Sequence, residues 1–270
     1  MPKQTKPEIS VVIPVYNALA DLKRCVASLE RTALGRYELI LVDNASGPET
    51  ARYIRGLRGA VKLRNRENLG FAKAVNAGLR AARGKYLAVV NSDVAFYDGG
   101  LQGLAACLDS DPAAGACGPL TNRTVGVQRV VLDPAVEKNG RSLGLFAQAM
   151  ALRFEGESFE VHRLVGFCFM LRREAFESVG LLDERFGTGC FEDFDYCLRL
   201  RQAGWKLKAV KDVFVWHRHH ASFSDHDHFY SWAVKNREVF VDKWCRKSLE
   251  FLDELDPLLE TDGKALKAGR

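Results

Sequence analysis

The first ninety residues alternate between two hydrophobic periods. Ile9 to Val15 is a β-branched apolar run that stops at Tyr16-Asn17, and Leu19, Leu22, Val26 and Leu29, with Cys25 beside them, follow at helical spacing. Tyr37 to Val42 reads as a second strand ending on Asp43. Ser46-Gly47-Pro48-Glu49 has the marks of a helix start: a Ser cap, an early Pro and an acidic first turn. Val61 to Leu63 reads as a short third strand, and Phe71 to Arg83 as a helix closed by Gly84. Leu87 to Val90 reads as a fourth, buried strand that stops on Asn91-Ser92-Asp93, three oxygen-bearing side chains that add nothing to a core.

This order predicts an α/β fold, a mostly parallel sheet with helices on both faces. In open sheets of that kind ligands bind beyond the carboxyl ends of the strands. Asn17, Asp43 and Asp93 each lie just past such an end, so three polar residues converge on one edge.

The second half is less regular. Thr121 to Phe159 lacks clear periodicity and reads as loops with short strands. Phe167 to Gly180 reads as a strand and a helix, and a further helix opens at Glu192-Asp193 and ends at Gly204. "KLKAVKDVFVWH" supplies two short strands, the second ending on His217. Phe229, Trp232, Phe240 and Trp244 mark an aromatic-rich helix, and Ser248 to Arg270 continues helically to Pro257 before a basic end. With no repeat or linker, residues 1–245 read as one domain and residues 246–270 as a C-terminal helical tail.

Composition narrows the function classes. At 270 residues the chain is long enough for one large domain, and a net charge of +5 suits anionic small molecules. No dense Lys/Arg run with interleaved aromatics appears, so nucleic acid is not an expected partner. Seven scattered cysteines without a C-x-x-C indicate free thiols in a reducing cytosol. The polar start, MPKQTKPEIS, has no apolar leader segment, and no apolar run approaches the ~20 residues that cross a bilayer.

Four groups carry candidate chemistry. Asp93, with Asn91 two residues before it, suits a divalent cation that bridges two phosphates; the plain alternative is a polar turn. Glu192, Asp193 and Asp195 crowd one helix start, where mutual repulsion raises and couples their titrations; Asp193 suits a base, and Asp195 suits an i,i+4 pair with Arg199. Five of the six histidines lie at 217, 219, 220, 226 and 228. His217 ends a strand and can face the same edge as Asp93, where imidazole and carboxylate together suit Mn²⁺ or Zn²⁺. "RENLGFAKAVNAG" opens a helix on Gly70, whose free N–H groups could face an anion with Lys73 adding charge.

Taken in order, "VVIPVYN", "LVDNAS", "NLGFAKAVNAG", "VVNSDV", "CFMLRREAFESVGLLDERF", "FEDFDYCLRLRQAGW" and "VWHRHHASF" give the chain its resemblance. From about Ile9 to Trp244 it resembles the family 2 glycosyltransferases of the Rossmann-like GT-A fold, in their bacterial rhamnosyltransferase-like branch. The resemblance implies that Pro14, Tyr16 and Asp43 contact base and ribose, that Asn68 and Gly70 sit near the nucleoside, and that Asn91-Ser92-Asp93 is the D-x-D-like motif, Asp93 holding the metal. It also implies Asp193 as catalytic base and His217 as a second metal ligand. Asn91, Glu192 and Lys73 would support the site, and Ser92 would line the nucleotide.

Two departures stand out: Asn91 replaces the first D-x-D carboxylate, and Thr121 to Phe159, where acceptor recognition usually lives, matches no motif. The implied activity is metal-dependent, inverting transfer of a sugar from a UDP- or dTDP-sugar donor to a hydroxyl, with Mg²⁺ or Mn²⁺ as cofactor. The acceptor would be a saccharide, a lipid-linked saccharide or a protein, and the enzyme cytoplasmic, with a peripheral place at the inner membrane face permitted. A nucleotide-binding module without transfer activity and a zinc hydrolase built on the histidine cluster are the alternatives.

Overall fold

The computed structural model describes residues 7–33, 35–218 and 226–248. In chain order its elements are β1 (Ile9–Val15), α1 (Leu19–Thr32), β2 (Tyr37–Asp43), α2 (Pro48–Gly56), β3 (Val61–Arg64), α3 (Phe71–Ala81), β4 (Tyr86–Val90) and β5 (Val94–Phe96). There follow α4 (Gly100–Ser110), β6 (Ala114–Thr121), α5 (Pro134–Glu137), α6 (Gly140–Arg153), β7 (Ser158–Val161) and β8 (Cys168–Arg172). The last are α7 (Arg173–Val179), α8 (Glu192–Gln202), β9 (Lys206–His217) and α9 (His226–Trp244).

One sheet organises all of this, in the order β3-β2-β1-β4-β8-β6-β9-β5, with β7 also on β9. β3, β2, β1 and β4 are parallel. β8 runs antiparallel between β4 and β6, while β9 is parallel to β6 and antiparallel to β5 and β7. The strand order reverses beside β1: β2 lies on one side and β4 on the other, so a crevice opens where their tips diverge.

Alternation along the strands builds two cores. Val11, Ile13 and Val15 face Leu22, Val26 and Leu29 of α1 and Leu101, Leu104 and Leu108 of α4. Val12, Ile40 and Val42 face Val75 and Leu79 of α3 and Tyr196 and Leu200 of α8. Strands buried on both faces read as continuous apolar runs, which is why these were legible as a parallel sheet.

Several boundaries differ from expectation. α3 ends at Ala81, and Gly84 is not its cap: a Cβ there would lie 2.6 Å from the backbone nitrogen of Ser10. Gly84 instead lets the loop pass close against β1. The α2 cap is Gly47 without a side-chain bond; the Ser46 hydroxyl accepts the N–H of Asn17 at 2.9 Å. Residues 206–217 form one strand of 12 residues, not two. Its pairing with β6 jumps from Pro119↔Val210 to Leu120↔Phe214, and in that bulge Lys211 donates its N–H to the carbonyl of Glu157 while Asp212 accepts the N–H of Gly156. Those bonds carry the strand through the bulge, although the second carboxylate oxygen of Asp212 is buried without a hydrogen-bond partner.

The stretch 121–159 is also not loops with short strands. It holds α5, capped by Asp133, and the 14-residue α6, capped by Asn139. Leu143 and Ala147 of α6 pack on Phe214 of β9.

α9 is tied to α8 by buried charge. Asp195, fully buried, accepts from Arg199 Nε at 3.0 Å and from Trp244 Nε1 at 2.8 Å, and lies 2.6 Å from Lys243 Nζ. The expected Asp195–Arg199 pair is therefore half of a clamp between helices. The tail beyond Ser248, and His219 and His220, lie outside the described residues, as do the side chains of His226, His228 and Phe229. Asp195→Ala leaves Arg199 without its buried counter-charge and Lys243 with Asp183 alone, and should cost about 3–5 kcal/mol in urea unfolding at neutral pH; a loss below about 1 kcal/mol would mean that the clamp is not a stability element.

Candidate active site

The crevice is built from strand tips. β1 ends in Tyr16, 39% exposed at the rim, followed by Asn17 and Ala18 in the left-handed region. Asn17 Oδ1 accepts the N–H of Gly47 at 2.9 Å, which laces the β1–α1 turn to the β2–α2 turn. Pro14 lies in β1 opposite Val42, one residue before the strand ends. Asp43, at the tip of β2, is buried; its carboxylate accepts the N–H of Ser46 at 2.8 Å and pairs with Arg64 at 2.7 Å.

Asn44 is the node the sequence did not reveal. Its amide donates to Asn68 Oδ1 at 2.7 Å and to the carbonyl of Gly70, and its oxygen accepts from Asn65 and from the N–H of Leu69. One buried side chain thereby shapes the whole Asn65–Gly70 turn beside the β2 tip. Gly70 has φ +84°, and a Cβ on it would lie 2.3 Å from the carbonyl oxygen of Gly187. The start of α3 is thus closed on that side by the Gly187–Thr188 backbone rather than open to an anion, and Lys73 is exposed one turn further on.

Asn91, Ser92 and Asp93 form the turn from β4 to β5, with Ser92 and Asp93 buried and Asn91 half-buried. The N–H of Asn91 bonds the carbonyl of Phe167 at 2.8 Å, and the N–H of Arg218 bonds the backbone carbonyl of Asp93 at 3.0 Å. β5 pairs with the end of β9 so that Val94 is opposite His217. This antiparallel step carries His217 to Asp93 across 124 residues of sequence: Nε2 lies 3.4 Å from Asp93 Oδ1.

The imidazole is held from every side. Nδ1 lies 2.7 Å from the carbonyl oxygen of Arg123; a carbonyl only accepts, so Nδ1 carries the proton. The backbone N–H of His217 bonds Asn122 Oδ1 at 2.8 Å, and the ring stacks on Phe167 at 5.2 Å. With Nδ1 turned to Arg123, Nε2 is the ring nitrogen that faces the carboxylate. Such a bond from the non-coordinating nitrogen is what orients metal-binding histidines. One imidazole nitrogen and one carboxylate oxygen fit Mn²⁺ or Mg²⁺, which keep further positions for water and phosphate oxygens. Among the described residues no group of three or more His, Cys, Asp or Glu could hold a metal; of the histidine cluster only the side chain of His217 is among them.

Asp193 opens α8 under the same edge. Its Oδ2 accepts the N–H of Gly166 at 2.9 Å and its Oδ1 that of Phe194 at 2.8 Å. Phe167, the next residue after Gly166, carries both the His217 stack and the bond to Asn91. Two consecutive residues thus connect the would-be base, the β4 tip and the imidazole. Arg163, 6% exposed, lies on the same strap with its guanidinium 4.1 Å over the Phe194 ring. Leu164 continues the strap by exchanging bonds with Cys197.

The two acidic neighbours differ in surroundings. Burial, and then the charge of Asp193, push Glu192 up to about 8, and its buried Oε2 has no partner. Burial also raises Asp193, but the Arg163 charge and the N–H groups of Gly166 and Phe194 oppose it. Environments that push paired carboxyls apart assign their roles: Glu192 stays protonated and Asp193 ionises first.

The loop before α8 is strained, with Gly187, Gly189, Cys190 and Phe191 all at positive φ. It is held by Asn236 of α9, whose amide reaches the carbonyls of Phe186, Gly189 and Cys190 at 2.6, 2.6 and 3.2 Å. The sequence signalled neither Asn236 nor Asn122 and Arg123, because each acts through backbone groups distant in the chain.

Known proteins share this fold. The crystal structure of GalNAc-T7 with UDP, GalNAc and Mn²⁺ superposes with a TM-score of 0.63 at 19% identity, over 95% of this chain and 59% of that one. The architecture is that of the GT-A fold. The family model described as "Glycosyl transferase family 2" matches residues 10–180, and the chain belongs to that family. It is 28% identical to the uncharacterized protein y4gI of Sinorhizobium fredii over 93% of this chain. It is 27% identical to the N-acetylglucosaminyl-diphospho-decaprenol L-rhamnosyltransferase of Mycobacterium tuberculosis over 86%. The chain spans 29% of the first protein's length and 83% of the second's.

A protonated, buried Glu192 has a stability signature. Its folded value near 8 exceeds the ordinary 4.5, so its contribution is complete below about pH 4.5 and is lost as pH rises through about 8. Glu192→Gln, which cannot ionise, should therefore gain melting temperature relative to the parent between pH 5 and pH 9. A difference between the two proteins that does not change with pH would show that Glu192 ionises freely in the fold.

Proposed function

We propose that the chain is a metal-dependent, inverting glycosyltransferase that moves a sugar from a UDP- or dTDP-sugar to an acceptor hydroxyl. The observation that carries this reading is the meeting of Asp93, His217 and Asp193 around the Gly166-Phe167 strap at the carboxyl edge of the sheet. The structurally similar GalNAc-T7 holds UDP and Mn²⁺, which supports the choice of a nucleotide diphosphate donor and a divalent ion.

Asp93 and His217 would hold Mg²⁺ or Mn²⁺, which when bound supplies positive charge against the departing diphosphate. The nucleoside would lie along the β1 and β2 tips, against Pro14, Tyr16, Asp43, Asn68 and Gly70, with Ser92 beside the phosphates. Asp193 accepts the proton of the acceptor hydroxyl as that oxygen attacks the anomeric carbon. The bond from that carbon to the phosphate oxygen breaks on the opposite face, and the nucleoside diphosphate leaves. Gly166 and Phe194 fix the Asp193 carboxylate in place, each using one lone pair of one oxygen and leaving others to take the proton. Glu192 adds no second negative charge while it stays protonated.

Of the saccharide, lipid-linked saccharide and protein acceptors, the lipid-linked class draws support from the mycobacterial relative, whose name gives a diphospho-decaprenol-linked sugar. With such an acceptor the enzyme would work in the cytoplasm, peripheral to the inner face of a membrane, in the synthesis of a cell-surface glycan.

Asp193→Asn should lower transfer by about 10²–10⁴-fold while UDP affinity, measured calorimetrically with Mn²⁺, stays within a few-fold of the parent. Near-normal turnover would remove Asp193 from the base role. Asp93→Ala should abolish the gain in UDP affinity that Mn²⁺ gives the parent over chelator-treated protein; an undiminished gain would place the ion elsewhere.

A further inference from the structure

We propose that the outer face of α6 is a contact surface for an anionic lipid bilayer. The inner face of this helix is accounted for by Leu143 and Ala147, buried on Phe214, with Phe146 packed beside them. At about 100° per residue, Leu145 and Leu152 point to the opposite side, within about 20° of each other. They are 59% and 75% exposed. Val127 and Val131, just upstream, are 45% and 85% exposed. Of the large hydrophobics exposed among the described residues, only Tyr16 and Val234 lie outside this one stretch of 127–152. A helix that meets only water on its outer side carries polar residues there; α6 is apolar on two opposite sides.

The charges around the patch select its partner. Arg129, Lys138, Arg141 and Arg153 are exposed, and among the described residues none is ion-paired. Arg141 lies one turn before Leu145 on the same side. The carboxylates of the stretch are Asp133 and Glu137, with the exposed Glu155 two residues beyond Arg153; Glu137 is taken up by Asn122 and by Arg123 at 2.7 Å. Exposed leucines on one side of a helix that also carries exposed Arg141 and Arg153 are the pattern of a helix lying in the plane of an anionic interface. No helix among the described residues is long and apolar enough to cross a membrane. The patch is also joined to the active site: Asn122, which holds Glu137 of α5, accepts the backbone N–H of His217. Seating α6 on a bilayer brings the metal-binding edge to the surface on which a lipid-linked acceptor is presented. That last link rests on the glycosyltransferase reading; the bilayer contact does not.

The test is co-sedimentation of the 270-residue chain with vesicles of phosphatidylcholine, alone or mixed with phosphatidylglycerol. The parent should partition to the mixed vesicles and be released by salt. L145E/L152E and R141Q/R153Q should each lower partitioning about ten-fold or more, with circular dichroism and UDP affinity unchanged. No partitioning of the parent, or partitioning that both variants retain, would overturn the proposal. So would a stable dimer that L145E/L152E splits into monomers, because a second copy would then cover the face. Vesicle binding by a parent that has no affinity for UDP would uphold the surface and overturn the glycosyltransferase reading instead.

Discussion

The structure turns on how one imidazole is held. His217 ends the longest strand, and its Nδ1–H is committed to the carbonyl of Arg123 at 2.7 Å. That single bond orients the ring and aims Nε2 at Asp93. Everything around it serves the same end. Asn122 fixes the backbone of His217, Phe167 lies flat against the ring, and the β5–β9 pairing sets the register that brings position 217 opposite position 94. Without that register the two ligand atoms would belong to different parts of the molecule.

The sheet divides the labour. Its parallel half, β3-β2-β1-β4, presents turns laced by Asn17, Asn44 and Asp43, short polar side chains that organise backbone N–H groups around a cleft. Its mixed half, β8-β6-β9-β5, presents His217 beside Asp93 and, through the strap of Arg163 to Phe167, the carboxylate of Asp193. The antiparallel β8 between β4 and β6 is what makes the halves meet, because its amino end lies beside the carboxyl end of β4. Helix α9 belongs to the site as much as to the periphery: Asn236 holds the left-handed loop that delivers Glu192 and Asp193, and the buried Asp195 fastens that helix in place. The adjacent carboxyls then take unlike charges by environment alone. Arg163 and three backbone N–H groups favour the anion of Asp193, whereas burial and the charge of Asp193 outweigh the one backbone N–H that Glu192 receives.

Much of this was written in local pattern. The strands Ile9–Val15 and Tyr37–Asp43, the helices after them, and the tip positions of Asp43 and Asp93 follow from period and punctuation, since a strand buried on both faces must be continuously apolar and must end where polar atoms reach water. The acidic opening of α8 and the strand ending at His217 were equally local. What the chain order could not state was how far-apart segments pair. The bulge at Lys211-Asp212 looked like a strand end because its satisfaction comes from Gly156 and Glu157. Helix α6 showed no single apolar stripe because it is apolar on two sides, one turned to Phe214 and one to the exterior. Asn44, Asn122, Arg123 and Asn236 looked like ordinary polar residues because their bonds close across as many as 95 positions. Residue type and period therefore determined which groups stand at the strand ends, since those depend on neighbours in sequence; only the tertiary structure decided which of them share a ligand, since that depends on register, and register is fixed by packing over the whole sheet.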